Sequence, residues 1–398
     1  MTLALEGLRV LDCSQGVAGA FCAMQLGDLG ADVVKLEPVS GDWLRTIGPY
    51  QGGESAVFLQ VNRNKRGIAV DLKTDEGRAV LDRLVEGADV LIEGYRPGKF
   101  AALGFGYEAL SARHPGLIYC SVSAYGQSGP LRDAPGTELD IQATVGANRH
   151  LGVIGQPPVR FGFDLATTAA GMGAFQAVMV ALLWRERTGV GQHVDMSLLS
   201  AFTAVNQWTF SAEHTHDEYE GRPLLGLTEP PDHGFSTADG PALINMRGNE
   251  AAWNELLIAI DRPEVLLDPR FSTPQGIMDN VVQLPGVINN TLKDWQFEDL
   301  RHLVQDKLQG TIVRMNNLEQ LVHDPQVAAL GMIQTIPGHP TAGDVRTINV
   351  PWGFQDELAA LRRPSPTLGQ HTREVLREAG YADADIDTLI AANAVAAS

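Results

Sequence analysis

At 398 residues, 44% hydrophobic and 20% charged, the chain has the composition of a folded globule long enough for two cores, and no low-complexity tract or short repeat suggests disorder or a solenoid. A formal net charge of −18 works against nucleic acid and anionic membrane surfaces as partners. The three cysteines, Cys13, Cys22 and Cys120, lack metal spacing and a disulfide framework, and the N-terminus lacks a basic region followed by an apolar core, so a cytoplasmic protein is expected.

Leu8–Asp12 reads as a short buried strand, and the small and apolar run Val17–Leu29, closed by Gly30, reads as a helix. Ala31–Glu37 is a second strand, and this spacing makes a βαβ unit with parallel pairing. The pattern recurs in strands at Gly67–Leu72, Ala88–Glu93 and Leu117–Ser123, with helices at Asp75–Glu86 and Tyr107–Arg113. Such a doubly wound α/β region gathers ligands at the carboxyl ends of its strands. Gly16-Val-Ala-Gly19 lacks the glycine spacing of the dinucleotide fingerprint, which argues against NAD and FAD. Asn62–Arg66 and Gly94–Gly98, at strand ends, carry cations or bare backbone that suit a phosphate-bearing ligand; a solvated basic loop explains the first equally well.

Glu138 and Asp140, two residues apart on an apolar frame, either open a helix or bring one acid toward the next candidate, Asp164. From Leu165 to Trp184 the chain has no Lys, Arg, Asp or Glu, and Arg185–Gly189 then closes the predicted helix. Asp164 stands at the N-cap position, where a carboxylate accepts from first-turn N–H groups. With Ala166, Ala169, Ala170, Gly171 and Gly173 leaving room behind it, the same carboxylate also suits a nucleophile. Length alone would let this segment cross a membrane, but its threonines, Gln176, alanines and glycines predict a buried core helix.

A stretch rich in Pro, Gly, Asp and His between Gly221 and Asp239 marks a linker. The expected organisation is a large domain over 1–220, a smaller α/β domain over 221–325, and a segment over 326–398 that returns to the large domain. Within the smaller domain, Phe235–Gly240 reads as a turn between strands, and Trp253–Ile260 and Asp294–Leu308 as amphipathic helices. In the tail, Val345–Val350 reads as a strand and Thr372–Gly380 as a helix. The dispersed histidines offer no metal site, no Gly-x-Ser-x-Gly elbow frames a serine, and no cysteine has an activating neighbour.

Taken in order, Leu26–Pro38, Asn64–Lys73, Arg96–Gly98, Gly104–Leu110, Arg187–Gln192, Asp268–Phe271 and Arg363–Thr372 resemble the class III CoA-transferases, which include formyl-CoA and carnitine CoA-transferases and have α-methylacyl-CoA racemases as relatives. The resemblance covers nearly the whole chain. It implies a Rossmann-like large domain whose parallel sheet is built from both termini, a small domain, and an interlocked homodimer. It implies a CoA-transferase acting on an acyl-CoA donor and a carboxylic acid acceptor, with coenzyme A as part of the substrate and no permanently bound cofactor. The nucleophilic aspartate of the family matches Asp164, and an active-site glutamate matches Glu138. CoA-contacting positions fall on Gln15, Val17, Ala18, Val70, Lys73, Gly94, Tyr95 and Arg96, and the substrate loop on Arg247, Gly248 and Asn249.

The chain departs from the formyl-type pattern. Val17 replaces a glutamine, Pro38 and Ala102 replace arginines, and the lid's glycine run is reduced to Arg247-Gly-Asn-Glu250. Racemases carry a His where Thr137 stands here, and threonine cannot move a proton off an α-carbon at neutral pH, which favours transferase over racemase; a catalytically silent CoA-binding protein is the third reading, since fold does not fix function. Arg45, Arg247 and Asn249 are candidates to hold a distal carboxylate of the substrate.

Overall fold

The computed structural model describes residues 2–150, 159–206, 234–246, 250–273, 276, 279–280 and 283–398. The chain divides into two compact units, one made of Met1–Gly146, Phe161–Gln207 and Gln326–Ser398, the other of Ala147–Arg160 and Trp208–Pro325.

In the first unit the main elements run β1 (Arg9–Cys13), α1 (Ala18–Asp28), β2 (Asp32–Glu37), β3 (Lys65–Val70), α2 (Asp75–Val85), β4 (Val90–Glu93), α3 (Tyr107–Arg113), β5 (Ile118–Ser123), α4 (Glu138–Thr144), α5 (Leu165–Thr188), β6 (His193–Ser197) and α6 (Leu198–Val205). The strands line up as β3-β2-β1-β4-β5-β6, all parallel. The C-terminal strand Val395–Ala396 adds to β3, so both ends of the chain do share the sheet. That outer strand is antiparallel, a correction to the all-parallel expectation.

The strands are apolar on both faces because both are covered. Leu11, Val34, Ile68 and Leu91 pack on one face with Val80 and Leu81 of α2 and with Val375, Leu376 and Ile386 from the C-terminal helices. Val10, Val33, Val90 and Ile118 pack on the other with α1 and α5. Small residues let α1 and α5 approach closely. A Cβ on Gly171 would stand 2.8 Å from the Ala18 carbonyl oxygen, so glycine there sets the helix spacing. Ala166, Ala169, Ala170, Ala174, Val178 and Ala181 form the buried stripe of α5, while Val180, Leu183 and Trp184 lie on an exposed face. The expected core helix is therefore buried along one side only.

The second unit carries a three-stranded antiparallel sheet of Phe235–Thr237, Gly240–Asn245 and Thr311–Arg314. The turn expected over Phe235–Gly240 is shorter than read, since Phe235–Thr237 is itself a strand and only Ala238-Asp239 join it to the next; the Asp239 carboxylate accepts from Phe297 N at 2.8 Å and pairs with Arg314 at 2.6 Å. The single helix expected over Asp294–Leu308 is a short helix, Phe297–Arg301, followed by a wider π turn over His302–Lys307. Phe235, Ile244, Leu256, Ile288, Leu300 and Ile312 share its core.

Candidate active site

Strand order reverses between β1 and β4, and chains leaving their carboxyl ends diverge, which opens a crevice at this point of a doubly wound sheet. A cavity of about 410 Å³ lies there. Gln15, Gly16, Val17, Ala18 and Gly19 line it after β1, Gly94 after β4, and Val122, Ser123 and Ala124 at the end of β5. Trp43, Gly136, Thr137, Glu138, Asp164, Thr167 and Leu198 complete the wall. The volume falls in the range of small-molecule sites.

Among the helices that begin at this cavity, α1 and α5 treat their N-termini differently. At α1 the N-cap position is Val17, which has no side-chain acceptor, so the first-turn N–H groups are left without a side-chain cap beside the cavity. At α5 the sequence places Asp164 as the cap, and the structure corrects this. Asp164 makes no capping bond; Glu138 reaches across from α4 instead. Glu138 Oε1 accepts from Ala166 N at 2.9 Å, and Oε2 accepts from Thr167 N and Thr167 Oγ1 at 2.7 Å each. Burial works against the Glu138 charge, but these donors and Gln142 prevail and hold the carboxyl below its ordinary range. Asp164 is thereby released. It is exposed, it lines the cavity, and no hydrogen bond or ion pair ties its carboxylate among the described residues.

Of the two acids expected near Asp164, Asp140 is the helix-opening one. Its carboxylate accepts from Thr137 N at 2.8 Å and Thr137 Oγ1 at 2.7 Å, closing a capping box. Thr137 thus turns its hydroxyl to Asp140 and offers the cavity no acid or base.

Beneath the cavity lies a sealed charge network. The Asp12 carboxylate takes Lys65 at 2.8 Å and Lys35 at 3.6 Å, and Lys35 pairs with Asp42 at 3.2 Å, all four side chains inaccessible or nearly so. Burial alone would raise the Asp12 pKa; the two ammoniums overrule it and bring it down to about 2. Lys65 is pushed down to about 8, burial being the larger influence. Asp42 accepts Gly16 N at 3.1 Å on both oxygens, which ties the loop after β1 to this network.

That network overturns the reading of Asn62–Arg66 as a phosphate site or a solvated loop. Arg63 binds Asp28 at 2.7 Å, and Arg66 binds Asp32 at 2.6 Å and Glu374 and Glu378 at 2.8 Å each. Every cation of the run is consumed internally. Arg45 is likewise no candidate for a substrate carboxylate, since it forks onto Glu37 at 2.7 and 2.8 Å and lies over the Phe58 ring.

Among the other expected contacts, Gln15, Val17, Ala18 and Gly94 line the cavity with Glu138 and Asp164. Tyr95 stacks on Phe100 at 4.9 Å outside the lining, and Lys73 and Arg96 are exposed and also outside it. Val70 sends its side chain into the core, so any ligand contact there falls to its backbone. Arg247, Gly248 and Asn249 lie outside the described residues. Sequence reasoning missed Trp43 and Asp42; Asp before a short apolar run is a capping signal that would have flagged the second.

A sequence model of CoA-transferase family III matches residues 5–372. Succinyl-CoA:glutarate CoA-transferase from Homo sapiens is 32% identical over 98% of this chain and 90% of its own length. Succinate–glutarate CoA-transferase from Agrobacterium fabrum is 33% identical over 94% of this chain and 95% of its own. A CaiB/BaiF family protein from Brucella suis superposes with a TM-score of 0.86 at 31% identity, covering 95% of this chain and 100% of that one. The switch-point cavity, its uncommitted aspartate and these matches along nearly the full length agree: the chain belongs to CoA-transferase family III.

Proposed function

We propose that this CoA-transferase carries CoA from an acyl-CoA thioester to a free carboxylic acid through Asp164. The Asp164 carboxylate attacks the thioester carbonyl, the carbon–sulfur bond breaks, and CoA thiolate leaves behind a mixed anhydride. The thiolate then attacks the aspartyl carbonyl, freeing the donor acid and forming an aspartyl-CoA thioester. An acceptor carboxylate attacks that thioester and expels the thiolate, which takes the acceptor acyl group from the second anhydride and restores Asp164. Each step exchanges one anion for another, so no proton has to move. That suits a cavity whose described lining holds no His, Lys or Arg. The uncapped first turn of α1 supplies N–H donors for charge that develops on carbonyl oxygen.

The observation that carries the reading is an exposed carboxylate, unpartnered among the described residues, at the mouth of a helix capped by a different acid. It is tested by adding hydroxylamine during turnover, which should convert Asp164 to its hydroxamate and inactivate the enzyme. Asp164→Ala should lose at least about 10⁴-fold in transfer, as removal of a covalent nucleophile does, while CoA affinity holds. Transfer near the wild-type rate in that variant would refute the assignment.

The substrate acids of the relatives, succinate and glutarate by their names, make short dicarboxylates the first pair to assay. We further propose that a second copy of the chain covers the apolar face of α5 and α6, where Val180, Leu183, Trp184 and Val205 are 66%, 55%, 50% and 58% exposed. Light scattering should report a dimer that Leu183→Glu weakens; a monomeric wild-type protein would rule this out.

A further inference from the structure

Trp43 is the largest side chain in the cavity wall, and 53% of it is exposed. Its ring packs onto the turn after β1. A Cβ built on Gly16 would stand 2.5 Å from Trp43 Cζ2 and 3.2 Å from Cε2, and Gly16 has φ +77°, so the turn and the ring contact both require glycine. The ring is anchored from below. Asp42 caps the single-turn helix Trp43–Thr46 by accepting Leu44 N at 2.9 Å, and the same carboxylate holds Gly16 N. Lys35, with no exposed surface, pairs with Asp42 at 3.2 Å and ties both to the sealed network. An indole whose backbone on one side and contact turn on the other hang from a single buried anion has little freedom to swing aside. Gly16, which the ring touches, and the other lining residues Ala18, Gly94 and Gly136 are small, so the indole is the bulkiest group in the lining.

We propose that Trp43 is a specificity-determining residue whose indole forms the wall limiting the length of the acyl chain held near Asp164. This rests on the reading of Asp164 as the acyl carrier. The ring exchanges no bond itself, so truncating it enlarges the space and leaves the chemistry in place. A methylene accommodated or refused by an apolar wall changes kcat/KM by about 10-fold or more.

The test uses the full chain, wild type, Trp43→Phe and Trp43→Ala, and follows exchange of labelled free acid into its own CoA thioester for unbranched acids from acetate to decanoate. In Trp43→Ala the kcat/KM ratio of the longest acids to the shortest should rise about 10-fold or more. Trp43→Phe should fall between the two, and guards against misfolding of the alanine variant. A ratio unchanged within about twofold in both variants, or a uniform fall at every chain length, would overturn the proposal. Hydroxamate trapping runs in parallel. Asp164 hydroxamate with an unchanged length profile overturns the role of Trp43 alone, and absence of the hydroxamate in the wild type overturns both readings.

Discussion

The sealed network after β1 and the mouth of the cavity each hold a carboxylate beside a strand end or a helix start, and they are treated in opposite ways. Asp12, with no exposed surface, has Lys65 and Lys35 on one oxygen and Ser14 Oγ and N on the other. A buried charge has to be paired in this way because the interior gives it no water. Asp164 sits in the wet mouth and is left uncommitted, since Glu138 satisfies the helix N–H groups that Asp164 would otherwise bind. The contrast teaches that a reactive carboxylate is defined by what its neighbours do for it. A carboxylate already bound to a helix terminus would be a poorer nucleophile, its charge stabilised before the reaction begins.

The sharpest way to break this comparison is to neutralise each aspartate in turn and measure stability. Asp12→Asn leaves two buried ammoniums facing a neutral amide, and removal of one member of a buried pair costs about 3–5 kcal/mol. Asp164→Asn removes no described partner, and its unfolding free energy from urea titration should stay within about 0.5 kcal/mol of wild type. Equal losses in the two variants would show that Asp164 is held as tightly as Asp12. The pH dependence has a definite sign. The folded pKa of Asp12, about 2, lies below its ordinary 3.8, so this carboxylate stabilises the fold fully above 3.8 and the contribution is lost as pH falls through 2. Asp12→Asn should flatten that part of the acid-unfolding curve.

Much of the first unit was legible in the chain because its signals are local. Apolar runs bounded by glycines gave the strands β1 to β5 to within a few residues, and the charge-free run gave α5 with its Gly189 stop, where φ is +73°. What stayed hidden depends on pairing across long distances. Nothing local in Asn62–Arg66 says that Asp28, Asp32, Glu374 and Glu378 come to meet it, and in isolation the run reads as a surface patch. The same holds at α5. An aspartate directly before a helix reads as its cap, and only the arrival of Glu138 from 29 residues before Thr167 reassigns that task. Asp164 and Glu138 were candidates from their positions in the chain, and the resemblance singled out both, whereas the division of labour between them came from geometry.

A smaller effect sharpens the same contrast by removing the substitute cap. Glu138→Gln keeps the length of the side chain but presents an amide N–H₂ where Oε1 or Oε2 now accepts from the helix, so one set of donors loses its acceptor. Loss of a cap costs about 1 kcal/mol in stability. Displacement of the α5 mouth by a fraction of an ångström to 1 Å costs up to about 10²-fold in kcat, because Asp164 then meets the thioester carbonyl out of line. CoA affinity should change by less than about threefold, since the loops after β1 and β4 are untouched. The pH profile separates this positioning role from proton transfer. The folded pKa of Glu138 is below its ordinary 4.5, so the ionised cap is intact at and above 4.5 and is lost only as pH falls through the depressed value. Wild-type kcat should therefore run flat from neutrality down to 4.5, and the variant should run parallel beneath it. If Glu138 instead donated a proton in turnover, wild-type kcat would fall as pH rises across that span, the glutamine variant would abolish that limb, and the assignment of Glu138 as a cap would fall.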